Sequence, residues 1–169
     1  MLRPPLIGDR FEHDFVISQD EILSFATLSG DSNPLHVDAN SPEAAAFGGC
    51  IAHGILTLGV LSKVFGTLLY AEGNVLLGLE SRFLSPLRPG LRHRAIFTVS
   101  EIFPLKNQVI YRTEIFEMEG NCQILSASSR LLNRKQYIWM SETEDVTISE
   151  TFVSRSAPQS PQERTDDHG

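Results

Sequence analysis

Two hydrophobic periods divide this chain. Up to about Tyr70 apolar residues recur at helical spacing; beyond Gly73 they fall in runs rich in Val, Ile, Phe and Thr, broken by turn residues. A strand-like run over 11–17 comes first. Ser18-Gln19-Asp20-Glu21 then reads as a capping box, its serine placed to accept from the Glu21 amide, and predicts a helix start. Ile22, Leu23, Phe25, Ala26 and Leu28 give that helix its apolar positions, and Gly30 supplies a left-handed stop. Asn33-Pro34 blocks continuation, because the residue before proline is pushed out of the α region, so 31–38 is expected to be a structured turn.

Ser41-Pro42-Glu43 predicts a second, short helix, cap followed by proline, ended by Gly48-Gly49. From Gly54 to about Tyr70 a longer helix is expected, with Ile55, Leu58, Leu61, Val64, Phe65, Leu68 and Leu69 covering more than one face, as suits an interior position. His53, Ser62 and Lys63 interrupt the apolar stretch, which favours a core helix over a membrane span. Four strands follow near 75–86, 92–103, 108–118 and 122–134, separated by Pro89-Gly90, Lys106-Asn107 and Gly120-Asn121. The short connections favour an antiparallel meander, and the helix-first, strands-later order is α+β, one apolar helix on a curved antiparallel sheet. A single domain over 1–140 is expected. The acidic and polar tail, 141–169, reads as largely disordered, with a weak edge strand at most around Val146, Ile148 and Phe152.

Charge and composition narrow the function. The net charge of −7 lacks the Lys/Arg surplus that phosphate neutralisation needs, so a general nucleic-acid binder is excluded. Cys50 and Cys122 stand in neither a metal-type nor a redox-type spacing and read as free thiols in a reducing compartment. Residues 1–8 hold no apolar stretch of signal-peptide length, and the expected location is the cytoplasm.

Candidate chemistry concentrates in two blocks, Ser29-Gly30-Asp31-Ser32-Asn33-Pro34-Leu35-His36-Val37-Asp38 and Phe47-Gly48-Gly49-Cys50-Ile51-Ala52-His53-Gly54. A carboxylate and an imidazole on one rigid turn can share a water, the first accepting its proton and the second positioning it or shuttling a proton. Taken alone, Asp31 capping a turn and His36 filling a half-buried position would explain both residues. Gly54 opens the long helix, so its amide is among the unpaired donors where partial positive charge gathers and an oxyanion could bind.

Together the blocks resemble the MaoC-like, or R-specific enoyl-CoA hydratase, family, over roughly residues 10–135. The resemblance implies a hot-dog fold, a sheet wrapped around the long helix, with two such units joined as a homodimer. It assigns catalysis to Asp31 and His36 and the oxyanion donor to Gly54. Ser62, two turns beyond Gly54, would hold the Asp31 carboxylate by a hydrogen bond, or equally would bond back to its own helix. Phe83, with Leu84 and Pro86, would skirt the acyl pocket, or simply pack the core. His53 reads as a histidine satisfied by local backbone, outside the catalytic set.

The implied reaction is reversible addition of water to a trans-2-enoyl thioester, giving an (R)-3-hydroxyacyl product, a lyase activity of fatty acid metabolism. No metal or separate cofactor is needed; coenzyme A or phosphopantetheine enters as part of the acyl-CoA or acyl-carrier-protein substrate. Relatives commonly carry Gly-Asp after the strand ending near Pro86, whereas here Gly90 precedes Leu91-Arg92-His93-Arg94. Arg82, Arg88, Arg92 and Arg94 place four of fourteen basic residues in that stretch, which suits the phosphates of coenzyme A or an acidic carrier, or else balances acids elsewhere. An acyl-thioesterase directing water at the carbonyl carbon and a non-catalytic thioester-binding subunit are the rival readings.

Overall fold

The computed structural model describes residues 3–69, 72–135 and 137. Strand β1 (Arg10–Phe15) leads into helix α1 (Gln19–Ser29), where the Ser18 hydroxyl accepts from the Glu21 amide and the Glu21 carboxylate from the Ser18 amide, the capping box expected. Gly30 ends α1 at φ 78°, its amide donating to the Ala26 carbonyl. The turn expected at 31–38 contains one helical turn, α2 (Pro34–Val37). Pro34 starts α2, because its missing N–H is no loss at a first helical position and Asn33 caps the Leu35 amide. Ser41 caps α3 (Pro42–Ala45) through the Ala44 amide.

Helix α4 (Gly54–Lys63) is shorter than the apolar pattern predicts, since Val64–Leu68 winds on as a π-type turn in which the Leu69 amide reaches the Val64 carbonyl at 2.9 Å. The Asn74 amide draws off the Phe65 and Leu69 carbonyls at 2.8 and 2.7 Å, a long-range demand that local periodicity does not contain.

Strands β2 (Val75–Phe83), β3 (His93–Phe103), β4 (Gln108–Glu117) and β5 (Gln123–Leu132) follow, with a short 3₁₀ turn at Pro104–Lys106. Asn107 and Asn121 take the positive-φ turn positions, which asparagine tolerates better than most residues. The sheet is antiparallel, in the order β1-β3-β4-β5-β2. Only β3-β4-β5 is the meander expected. The nine-residue connection 84–92 carries the chain from one edge of the sheet to the other, so β2 pairs with β5 instead of β3. On the way the Leu87 carbonyl accepts from Ala52 and the Gly90 amide donates to Ile17, which ties the crossover beneath the start of α4.

Val60, Leu61, Val64 and Phe65 from the long helix bury against Phe97, Val99, Tyr111, Ile115, Leu125 and Leu131 of the sheet, an α+β core of the expected kind. No helix among the described residues is long and apolar enough to cross a membrane. The tail from 141, with Val146, Ile148 and Phe152, lies outside the described residues.

At the β1–β3 pair, His93 is fully buried and stacks on Phe15, with His13 beyond it. Burial pushes the His93 imidazole below its usual 6.5 despite nearby Glu117 and the Leu91 backbone; His13 is lowered by burial and by Lys63. An unfolded chain therefore binds protons at these positions before the folded one does, and stability is lost as pH falls through 6.5 toward the depressed folded values. Asp9 and Asp14, themselves lowered from 3.8, contribute only further down. Melting temperature is expected to fall between about pH 7 and pH 5, and His93→Gln to flatten that slope. Thermal scans across this range check it; an unchanged slope in the variant would exclude His93 as a cause.

Candidate active site

Two chain segments meet at the site: the loop from α1 into α2, and the stretch 50–53 before α4. In the loop, the Asp31 amide donates to Ser29 Oγ at 3.2 Å and an Asp31 carboxylate oxygen accepts from the Asn33 amide at 3.3 Å. These local bonds turn the Asp31 side chain back along the loop. One helical turn later His36 is held by α2, whose end is anchored where Gln19 Nε2 donates to the His36 carbonyl at 2.9 Å.

His36 Nδ1 lies 2.8 Å from the Ile51 carbonyl oxygen. Because a carbonyl only accepts, Nδ1 carries the proton, and in the neutral ring Nε2 is left as a free acceptor. His53 mirrors this bond, its Nε2–H donating to the Asp31 carbonyl at 3.0 Å. The two imidazoles stack with centroids 3.9 Å apart and planes 30° apart, and one donor atom from each of Asp31, His36 and His53 lies within 4.8 Å of the others. That trio is metal-like in composition. Each ring commits one nitrogen to a carbonyl, which a metal-ligating imidazole also does, but stacking holds the remaining in-plane lone pairs in planes only 30° apart instead of aiming them at one point. The arrangement suits proton transfer better than chelation.

Beside His36 opens a cavity of about 400 Å³ lined by Phe47, Ile51, Gly54, Phe83, Leu87 and Ile124, among others. Its walls are largely apolar. Gly54 is the first residue of α4, and its amide has no backbone partner. The Phe83 ring approaches so closely that a Cβ at Gly54 would lie 2.9 Å from the ring's Cζ, so any side chain there would have to push the ring aside. A donor at a helix N-terminus, an apolar pocket and an imidazole acceptor therefore share one recess.

Of the residues picked from sequence, His36, Gly54 and Phe83 line this cavity, and Asp31 sits exposed beside His36. Ser62 does not join them. It lies eight residues along α4, ~12 Å at 1.5 Å per residue, and is exposed, while the Asp31 carboxylate is bonded to the Asn33 amide instead.

The arginines divide. Arg94 makes a two-pronged contact with Asp14 at 2.6 and 2.9 Å and reaches Glu12 at 3.1 Å; Arg92 lies 3.7 Å from Asp14. The hydrogen bond from Arg94 outweighs partial burial and holds the Asp14 carboxyl below its usual 3.8. These two arginines balance the acids of β1 and so are not placed as a phosphate cradle. Arg88 is exposed, and its Nη2 donates to the Phe47 carbonyl at the rim of the cavity.

His53 is the residue that sequence reasoning missed. It is satisfied by backbone as expected, but by a carbonyl 22 positions away, and it touches His36 directly. One signal was available: histidine fills the N-cap position of α4, where Ser, Thr, Asp or Asn is favoured.

Residues 6–119 match the family model described as MaoC like domain. An (R)-specific enoyl-CoA hydratase of Rhodospirillum rubrum is 38% identical over 97 residues, 57% of this chain and 67% of that relative. A 3-hydroxybutyryl-CoA dehydratase of Methylorubrum extorquens is 35% identical over 88 residues, 52% of this chain and 56%, little more than half, of its own length. Among solved structures, the unliganded R-hydratase of Pseudomonas aeruginosa superposes with a TM-score of 0.72 at 27% identity, covering 86% of this chain and 94% of that one. The helix-on-sheet architecture is accordingly the hot-dog fold, and with the family model spanning most of the described residues, this chain belongs to the MaoC-like domain family.

Proposed function

We propose that the chain is a hydratase/dehydratase that adds water reversibly to a trans-2-enoyl thioester to give an (R)-3-hydroxyacyl thioester. The observation that carries this reading is the Nε2 acceptor that the Ile51 bond leaves on His36, a residue that lies beside Asp31 and lines the same cavity as Gly54 at the start of α4. A water held between the carboxylate and Nε2 gives up a proton as its oxygen bonds to the β-carbon. Charge then builds on the thioester oxygen, where the Gly54 amide and the N-terminal field of α4 stabilise the enolate-like state. Transfer to the α-carbon of the proton that the Asp31–His36 pair took from the water completes the addition, and the reverse sequence removes water through the same transition state. The (R) configuration is supported by the names of the relatives.

The thioester's coenzyme A or phosphopantetheine arm is the only cofactor-like group this scheme uses, and Arg88 at the cavity rim is the basic residue best placed for its phosphates. Unpaired Cys50 and Cys122 fit a reducing, cytoplasmic setting.

A homodimer belongs to the same proposal. The free edge at β1 is charged, with Arg10, Glu12 and Asp14, whereas β2 leaves Val75, Leu76 and Leu77 about half exposed. An apolar outer strand calls for a cover, and a second copy of this chain supplies one.

Incubation with a short trans-2-enoyl-CoA, following enoyl absorbance and free thiol together, tests the reaction: hydration without thiol release is expected, and thiol release without hydration would establish a thioesterase. Asp31→Asn should lower kcat by about 10²–10⁴-fold with little change in melting temperature, since the carboxylate is exposed; near-wild-type turnover would refute its role. Gly54→Ala forces the Phe83 ring aside, and loss of about 10²-fold in kcat/KM is expected for a displaced oxyanion site. Leu77→Lys should shift sedimentation from dimer toward monomer; a fully active wild-type monomer would remove the dimer from the proposal.

A further inference from the structure

We infer that His53 is a positioning residue of the active site, aligning the Asp31–His36 pair through two separate contacts. The inference rests on the hydratase reading above for what is being aligned, and on the geometry of His53 for how. Its Nε2–H holds the Asp31 carbonyl at 3.0 Å, and its ring face lies against His36, centroids 3.9 Å apart. One side chain thus touches both members of the pair, one through its backbone and the other through its ring.

Three observations separate this from ordinary packing. His53 holds the N-cap position of α4 yet makes no side-chain cap bond, so the helix forgoes a stabilising contact that Ser or Asp would supply there. Its Nδ1 is buried without a hydrogen-bond partner in a residue only 2% exposed, a cost that a Leu or Phe at the same position would avoid. Its bond to the Asp31 carbonyl crosses 22 positions of sequence and reaches the catalytic loop itself. Local rules broken in one place, with the side chain directed at the reacting pair, mark a position kept for alignment.

Phe25 of α1 packs against the same imidazole, centroids 4.9 Å apart. With Phe25 and His36 against it, the ring has little room to rotate, and the Asp31 carbonyl bond selects its orientation. Proton transfer demands placement to a fraction of an ångström, which a loop closed only by its own Asx turn would not supply.

Two conservative variants separate the contacts. His53→Phe keeps a ring over His36 and removes the donor to Asp31; His53→Gln keeps a donor of similar reach and removes the ring. Each is expected to lower kcat for enoyl-CoA hydration by about ten-fold or more with KM within about two-fold. In ¹H–¹⁵N spectra of the full chain, His53→Gln should broaden or split the Nδ1–H signal of His36. His53→Phe should leave that signal and shift the amides of Asp31 and Asn33.

Wild-type kcat in both variants would overturn the inference, and so would a kcat loss with His36 and Asp31–Asn33 signals unchanged. An inactive wild type would instead remove the hydratase reading, while the spectra still decide whether His53 orders the two segments.

Discussion

The site depends on two reciprocal imidazole-to-carbonyl hydrogen bonds. His36, in the loop after α1, donates to the carbonyl of Ile51 before α4; His53, before α4, donates to the carbonyl of Asp31 in the loop. Each segment thereby orients the histidine of the other. A backbone bond from the Ile51 amide to the Leu35 carbonyl, 3.3 Å, lies alongside. Individually such bonds contribute about 0.5–1.5 kcal/mol, yet the one to Ile51 determines which nitrogen of His36 is protonated and which is free to accept. The chemistry follows from that choice, because an unprotonated Nε2 can accept a hydrogen bond from the water and shuttle a proton, and a protonated one could not.

The rest of the cavity is arranged around the first residue of α4. Its amide is unpaired for the general reason that a helix leaves its first amides without partners. The end of β2 and the crossover to β3 pass beside this point, bringing Phe83, Leu84 and Leu87 to the wall and tying Leu87 to Ala52 through the backbone. Phe83 lies so close to Gly54 that a side chain there would displace its ring. The same crossover makes β2 an outer strand, so the apolar edge that invites a second copy and the wall of the pocket come from one topological feature.

Charge is used differently at the two ends of the sheet. Along β1 the acids Glu12 and Asp14 are matched by Arg94 of β3 and by Arg92 just before it, which keeps that edge solvated and paired within the chain. The basic cluster at 82–94 therefore looked in sequence like a single patch but is not one, since strand pairing brings acids from 80 positions away. Arg88, on the crossover, stays at the mouth of the cavity.

Much of this protein was readable from local patterns. The capping box at Ser18, the Ser41 cap, the Gly30 stop and the strand periods are each encoded within a few residues, where local hydrogen bonding and backbone sterics act, while the roles of Asp31, His36 and Gly54 came from the resemblance of two longer blocks. The order of the strands, the π-type turn set by Asn74, the pairing of Arg92 and Arg94, the exposure of Ser62 and the stacking of His53 on His36 were decided only by tertiary structure. Strand order, the arginine pairs and the stacked histidines join segments well separated in the chain, and no periodicity or motif records which carbonyl, carboxylate or ring will arrive.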